Sequence, residues 1–145
     1  MKNYLLLMLF VIVSNGVFSQ NWQTNFEEAK QEAKQSNKPI ILIFSGTDWC
    51  SPCIKLDKQI FQSDIFKTYA TENVILIQAD FPRKKENALS EALQNQNRKL
   101  AERYNPNGFF PFVLMLDAKG AVLGELGYEK IEPQAYVNKL KAFIK

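Results

Sequence analysis

The sequence predicts a single α/β domain: a central mixed sheet of about four strands, flanked by helices on both faces. Two largely apolar segments, 39–44 and 74–79, are separated by a stretch with a helical pattern, as expected of parallel strands joined by a crossover helix. Two further predicted strands, 112–117 and 121–127, are joined by the short turn Asp117-Ala118-Lys119-Gly120 and should form an antiparallel hairpin. At 145 residues, 46% of them hydrophobic, the chain is large enough to bury a core of its own.

Residues 1–19 have the pattern of a secretory signal peptide. Lys2 gives a positive start, an unbroken apolar run extends from Leu5 to Val13, and Ser19 supplies a small residue at the cleavage point. An anchoring transmembrane helix is the alternative, but a span needs roughly 20 apolar residues. We therefore expect an exported protein, periplasmic or secreted. Residues 20–145 would form its one domain, with no stable membrane insertion after cleavage.

The charge balance argues against a nucleic-acid partner. The formal net charge is +3, and loss of Lys2 with the signal peptide lowers it from +3 to +2. So small a surplus gives little electrostatic attraction to phosphates. The one basic run, Arg83-Lys84-Lys85, is expected to be a solvated loop.

Local signals place the remaining elements in order along the chain. Thr24 to Glu27 has the pattern of a capping box, so a surface helix should extend from Thr24 to about Ser36. The apolar segment 39–44 is typical of a strand buried on both faces. Four helices are predicted after it. The first begins near residues 50–52, and the second is a short helix over 64–69 that follows a Ser63 cap. The third is a long helix from near Leu89 to Tyr104, and the last begins at Pro133.

Both cysteines of the chain lie in Trp49-Cys50-Ser51-Pro52-Cys53, directly after a buried strand and at the start of a helix. Unpaired amide hydrogens and the helix dipole favour a thiolate there, so Cys50 should be the exposed nucleophile. Cys53, one turn further, can attack a mixed disulfide on Cys50 and release the substrate without any cofactor. We expect no metal site, because zinc usually needs four ligands and the chain has no histidine and no third cysteine.

These motifs resemble the thioredoxin superfamily. Trp-Cys-x-x-Cys at 49–53 follows a buried strand, and Gly108-Phe109-Phe110-Pro111 precedes a hairpin. More narrowly, 38–42 and 46–50 resemble exported thioredoxin-like proteins and the carboxy-terminal domain of the periplasmic disulfide-interchange reductase. The resemblance covers the chain from about Trp22 onward. It implies a thioredoxin fold and the exchange of thiols and disulfides with protein substrates. We expect a protein of this type to be recharged by an upstream electron donor, soluble or membrane-bound.

The resemblance also implies roles for individual residues. Pro111 would follow a cis peptide bond and sit against the disulfide, Phe110 would offer its backbone to an extended substrate segment, and Trp49 would help form the docking surface. Thioredoxins proper carry a buried acid in the strand before the motif, whereas 40–44 is entirely apolar. Removal of the Cys53 proton would then fall to water or to Asp48, although a solvated loop acid is the alternative for Asp48.

The absence of a histidine between the cysteines favours a potential nearer the reducing end. The sequence therefore predicts an exported thiol–disulfide oxidoreductase of the reductase or isomerase type, which we expect to be a monomer. Two alternatives stay open. One is a binding or chaperone module on the same scaffold, in which the thiols are not required. The other is a permanent structural staple between Cys50 and Cys53, although structural bridges usually close longer loops.

Overall fold

The computed structural model describes residues 20–145, so the signal peptide predicted at 1–19 lies outside the described residues. The strands are β1 Trp22–Gln23, β2 Ile40–Ser45, β3 Ile75–Asp80, β4 Phe112–Leu116 and β5 Val122–Leu126. The helices are α1 Phe26–Ser36, α2 Ser51–Leu56, α3 Asp64–Asn73, α4 Glu91–Tyr104 and α5 Pro133–Ala142. Helix α2 continues directly into one π-helical stretch, Asp57–Phe61, and a 3₁₀ turn spans Lys85–Asn87.

The strands form one mixed sheet in the order β1-β3-β2-β4-β5. Strands β2 and β3 are parallel, whereas β4 is antiparallel to both β2 and β5. The predicted mixed α/β sheet is confirmed, but the expected strand number was one too low. The additional strand, β1, pairs in parallel with Leu76 and Ile77 of β3. Two residues are too few to display an alternating pattern, so sequence periodicity cannot reveal such a strand.

Strand β2 is buried along its whole length and is the centre of the domain. Its side chains alternate between two apolar clusters, as successive residues of a strand must. Ile41 and Ile43 pack with residues of α2, α3 and α5, whereas Leu42 and Phe44 pack with residues of α1 and α4. Full burial of each such side chain stabilises the fold by about 1.5–3 kcal/mol. The end of β2, where the cysteine motif begins, therefore rests on a rigid support.

The helix boundaries agree with the local signals except at two places. Helix α1 is capped by Asn25 and not by the predicted Thr24. The Asn25 side chain accepts hydrogen bonds from the amides of Glu27 and Glu28 at 3.1 and 3.2 Å. Asparagine is at least as good an N-cap as threonine, so the capping-box spacing alone misplaced the start. Helix α3 is capped by Ser63 as predicted, but it extends to Asn73. No helix within 20–145 is both long and apolar enough to cross a membrane.

Candidate active site

The cysteine motif lies where β2 ends and α2 begins. The backbone turns at Gly46, whose carbonyl oxygen accepts hydrogen bonds from the amides of Trp49 (3.2 Å) and Cys50 (2.8 Å). Cys50 is the N-cap residue of α2, and its Sγ accepts a hydrogen bond from the amide of Cys53 at 3.3 Å. A thiolate at Cys50 could accept the same hydrogen bond, which favours ionisation of this cysteine.

Cys50 and Cys53 form a disulfide, with a Cα–Cα distance of 5.2 Å. Their exposed fractions are 4% and 3%, so the expectation that Cys50 is the exposed member does not hold for the oxidised form. The Cys50 sulfur lies at the first turn of α2, bonded to Cys53 Sγ, and both residues are buried. The capping position of Cys50, and not its exposure, therefore distinguishes the two sulfurs. Within 20–145, no three His, Cys, Asp or Glu residues are grouped as a metal ion would require.

Trp49, next to Cys50 in the chain, is held by contacts with four residues. Its Nε1 donates a hydrogen bond to the carbonyl oxygen of Phe81 at 2.7 Å, and its ring lies 5.5 Å from the ring of Phe110. The guanidinium of Arg83 covers the ring at 3.7 Å from its centroid, a cation–π geometry. The indole also packs directly on Gly46, where any side chain would collide with it. Trp49 thus holds together the motif, the loop after β3 and the segment before β4.

The carboxylate of Asp48 is bound to the loop after β3. Its carboxylate accepts hydrogen bonds from the backbone amides of Arg83 and Lys84, both at 2.9 Å, and from the Asn87 side chain at 3.0 Å. These bonds, that of the Arg83 amide foremost, lower the pKa of Asp48 to about 2. Such contacts are those of a loop anchor. Arg83, Lys84 and Lys85 are exposed, as predicted for a solvated loop. The backbone amides of Arg83 and Lys84 are nevertheless bound to Asp48 of the motif.

The peptide bond between Phe110 and Pro111 is cis, the geometry that the family resemblance implied. This segment borders an open groove beside the cysteine motif. The groove is lined by Pro52, Phe109, Phe110, Pro111, Phe112, Leu126, Gly127 and Tyr128, with one carboxylate, Glu125. Buried Asn105 fixes the segment, because its side chain bonds both the amide and the carbonyl oxygen of Phe109. Phe109 itself is 54% exposed at the edge of the groove.

A cavity lies against Cys53 on the other side of the motif, and no local sequence pattern indicates it. It has a volume of about 240 Å³ and is partly open to solvent. Cys53 shares its wall with the polar side chains of Ser45, Thr47, Asp57, Gln62 and Gln78. Ser45, Asp57 and Gln78 belong to three different elements, so only the folded register brings them together. Strand β2 is buried throughout, as its apolar residues 40–44 predicted, and it places no acid beside Cys53. The polar side chains next to Cys53 are those of this cavity.

Comparison with known proteins gives a consistent result. The family model described as Thioredoxin-like matches residues 21–118. The chain is 39% identical to Disulfide bond reductase DsbH of Chlamydia pneumoniae over 124 residues, 86% of this chain and 72% of that protein. A solved structure of DsbH oxidoreductase superposes with a TM-score of 0.81 at 36% identity, covering 87% of this chain and 85% of that one. The oxidised carboxy-terminal domain of DsbD from Neisseria meningitidis, at 17% identity, shares the fold with a TM-score of 0.57 over 86% of this chain and 98% of that one. The chain therefore belongs to the thioredoxin-like family.

Proposed function

We propose that this protein is a thiol–disulfide oxidoreductase that reduces or exchanges disulfides of other proteins through Cys50 and Cys53. One observation carries the proposal: the only two cysteines of the chain form a disulfide at the start of α2, beside a groove open to a partner. The similarity to a protein named disulfide bond reductase supports the same activity.

The reaction divides between the two cysteines. The thiolate of Cys50 attacks one sulfur of a substrate disulfide, so a mixed disulfide forms and the other substrate sulfur leaves as a thiolate. The thiolate of Cys53 then attacks Cys50 Sγ, which forms the Cys50–Cys53 bond and expels the second substrate thiolate. Two electrons pass from the protein to the substrate. An upstream donor must then reduce the Cys50–Cys53 bond again before the next cycle.

The groove beside Pro52 is the proposed docking surface for an extended substrate segment. Phe110 and Pro111 would present backbone to this segment, and Trp49 would form the wall next to Cys50. The aromatic rings along the groove favour substrates with apolar residues near the reacting disulfide. Asp48 contributes by anchoring the loop whose Arg83 covers Trp49, a role that its three hydrogen bonds support better than proton transfer.

The cellular setting is part of the proposal. We infer export to the periplasm or the exterior from the pattern at residues 1–19. A reducing direction is favoured by Ser51-Pro52 between the cysteines, which gives the Cys50 thiolate no neighbouring histidine. The proposed partners are proteins with disulfides and an electron donor that acts on the oxidised pair. We propose that the protein acts as a monomer.

Insulin reduction with dithiothreitol tests the proposal. Wild-type protein should accelerate turnover, Cys50→Ser should abolish it, and Cys53→Ser should accumulate a mixed disulfide on Cys50. Ser51→Ala, a change between the same two cysteines, is the matched control and should retain most of the activity. The binding module would be favoured by two results together: the wild type does not reduce insulin, and Cys50→Ser keeps full activity in a partner-binding or chaperone assay. A bridge that resists mild reductant would favour a structural staple.

A further inference from the structure

A second cavity adjoins Trp49, and basic side chains surround it. It has a volume of about 450 Å³ and lies between the loop after β3 and helix α4. Phe81, Pro82 and Leu89 contribute apolar surface to its wall. The basic residues are all exposed, so their charged ends are accessible to a partner. This basic cavity is lined by four cations, Arg83, Lys84, Lys85 and Arg98.

The positive charge of the basic cavity is not balanced from within the described chain. Asp80 is the one acid among the lining residues, and its carboxylate accepts hydrogen bonds from the amide (3.0 Å) and the hydroxyl (2.7 Å) of Thr47. The nearby Asp48 carboxylate is bound to the backbone of the loop. Within residues 20–145, none of the four cations forms an ion pair. An excess of one charge around a concave surface attracts groups of the opposite charge.

The loop that carries most of these cations is fixed in position. Asp48 binds its backbone and side chains between residues 83 and 87. On the other wall, the buried Asn97 of α4 donates a hydrogen bond from Nδ2 to the Asp80 carbonyl oxygen at 3.0 Å. A preformed site loses less conformational entropy on binding than a mobile loop does. The basic cavity is therefore suited to select a partner.

The basic cavity and the groove beside Pro52 meet at three aromatic rings. The ring of Phe110, which lines the groove, lies 5.5 Å from that of Trp49 and 5.5 Å from that of Phe81, which lines the basic cavity. Arg83 Cζ lies 3.7 Å from the Trp49 ring. The guanidinium is therefore within roughly 10 Å of Phe110, the length of about three residues of extended chain. A polypeptide seated in the groove can reach the basic cavity.

We propose that the basic cavity binds acidic residues of the protein substrate, about three residues along the chain from the position that packs on Phe110. This inference rests on the proposed function, in which the groove holds the segment around the reacting cysteine. Arginine and lysine form charge-assisted hydrogen bonds with carboxylates. Glu125 is the one charged residue that lines the groove itself, and it disfavours acids there. The selected segment is therefore apolar at the cysteine and acidic beyond it.

The test uses short synthetic peptides, each with one cysteine joined to thionitrobenzoate by a disulfide. The Cys50 thiolate of reduced protein attacks the peptide sulfur and forms the mixed disulfide, while the bond to thionitrobenzoate breaks and this coloured anion leaves with the electron pair. Two acidic peptides carry a cluster of aspartates beginning about three residues before or after the cysteine. Each has a neutral counterpart with asparagines, and all rates are divided by those measured with dithiothreitol.

The test variant combines Lys85→Gln with Arg98→Gln, which removes two of the four cations and leaves the contact between Arg83 and Trp49 in place. The matched control combines Lys34→Gln with Lys119→Gln, which lowers the net charge equally. Both control lysines are exposed and lie near the end of the sheet where β2 begins, away from the cysteine motif.

We expect the wild type at low salt to react about five- to tenfold faster with one of the acidic peptides than with its neutral counterpart, because several modest ion pairs act together. The test variant should keep the neutral rate and lose most of this preference, whereas the control should retain it. High salt should remove the preference by screening.

Equal rates with acidic and neutral peptides would overturn the inference, and so would an equal loss of preference in the control variant. Stronger inhibition by a single-stranded oligonucleotide than by a cysteine-free acidic peptide of the same charge would also overturn it, in favour of nucleic-acid binding. Failure of the wild type to release thionitrobenzoate from any peptide would instead overturn the proposed function.

Discussion

The contact between Trp49 and Gly46 can be tested by one added methyl group. In Gly46→Ala, the new Cβ would lie 2.3 Å from Cε2 and 2.5 Å from Nε1 of the indole, where ordinary contacts begin at 3.4 Å. The ring must therefore withdraw by about 1 Å. A hydrogen bond from Nε1 to the Phe81 carbonyl oxygen, 2.7 Å long, does not survive a displacement of that size.

The expected loss of stability follows from the closer packing and from the broken hydrogen bond. Overpacking of a close contact costs about 1–3 kcal/mol, and loss of a hydrogen bond of this kind costs about 0.5–1.5 kcal/mol. We therefore expect Gly46→Ala to lower the free energy of unfolding of the oxidised protein by about 2–4 kcal/mol. Because Trp49 borders Cys50, insulin reduction should fall as well.

Urea unfolding followed by circular dichroism measures this change. Gly127→Ala is the matched control, because the nearest heavy atom to its added Cβ would be the Pro111 carbonyl oxygen at 3.8 Å, an ordinary contact. The control should unfold within about 0.5 kcal/mol of the wild type. If Gly46→Ala were as stable as Gly127→Ala, the proposed packing of Trp49 would be refuted.

Two further predictions concern stability. The folded-state pKa of Asp48 is lowered, so the contribution of this carboxylate is fully present above about pH 4 and is lost as pH falls toward 2. The melting temperature of the wild type should therefore exceed that of Asp48→Asn above about pH 4, and the difference between the two temperatures should vanish near pH 2. A difference that stays constant with pH would contradict the loop-anchor role. Tyr136, fully buried, donates a hydrogen bond to the Gly127 carbonyl oxygen at 3.0 Å. Tyr136→Phe should cost about 1–2 kcal/mol in urea unfolding, and a neutral effect would contradict the importance of this bond.

The sequence was sufficient for the features that depend on neighbours along the chain. The apolar runs that became β2 and β3 have no polar interruption before Gln78, so their burial follows directly from composition. The spacing of Cys50 and Cys53 at a strand-to-helix junction indicated the redox pair. The cis bond before Pro111 needed more than local signals, because it followed from resemblance to a family.

Features that depend on distant partners were not predictable. The bonds of Asp48 reach residues 35 to 39 positions away, and nothing in the local sequence indicates that contact. For the same reason, Arg83 was interpreted only as part of a solvated loop, whereas it also covers Trp49. The cavity at Cys53 required the register between β2 and β3, since Ser45 and Gln78 are unremarkable polar residues until that register is known.

The redox potential of the Cys50–Cys53 pair decides whether this protein can work as a reductase. Protein equilibrated with mixtures of reduced and oxidised glutathione is quenched with acid, alkylated and weighed by mass spectrometry to give the reduced fraction. We predict a single two-electron transition with a potential closer to that of thioredoxin, about −270 mV, than to that of a dedicated oxidant. A potential near −120 mV would contradict the reductase account, and a pair that never opens would contradict redox activity altogether.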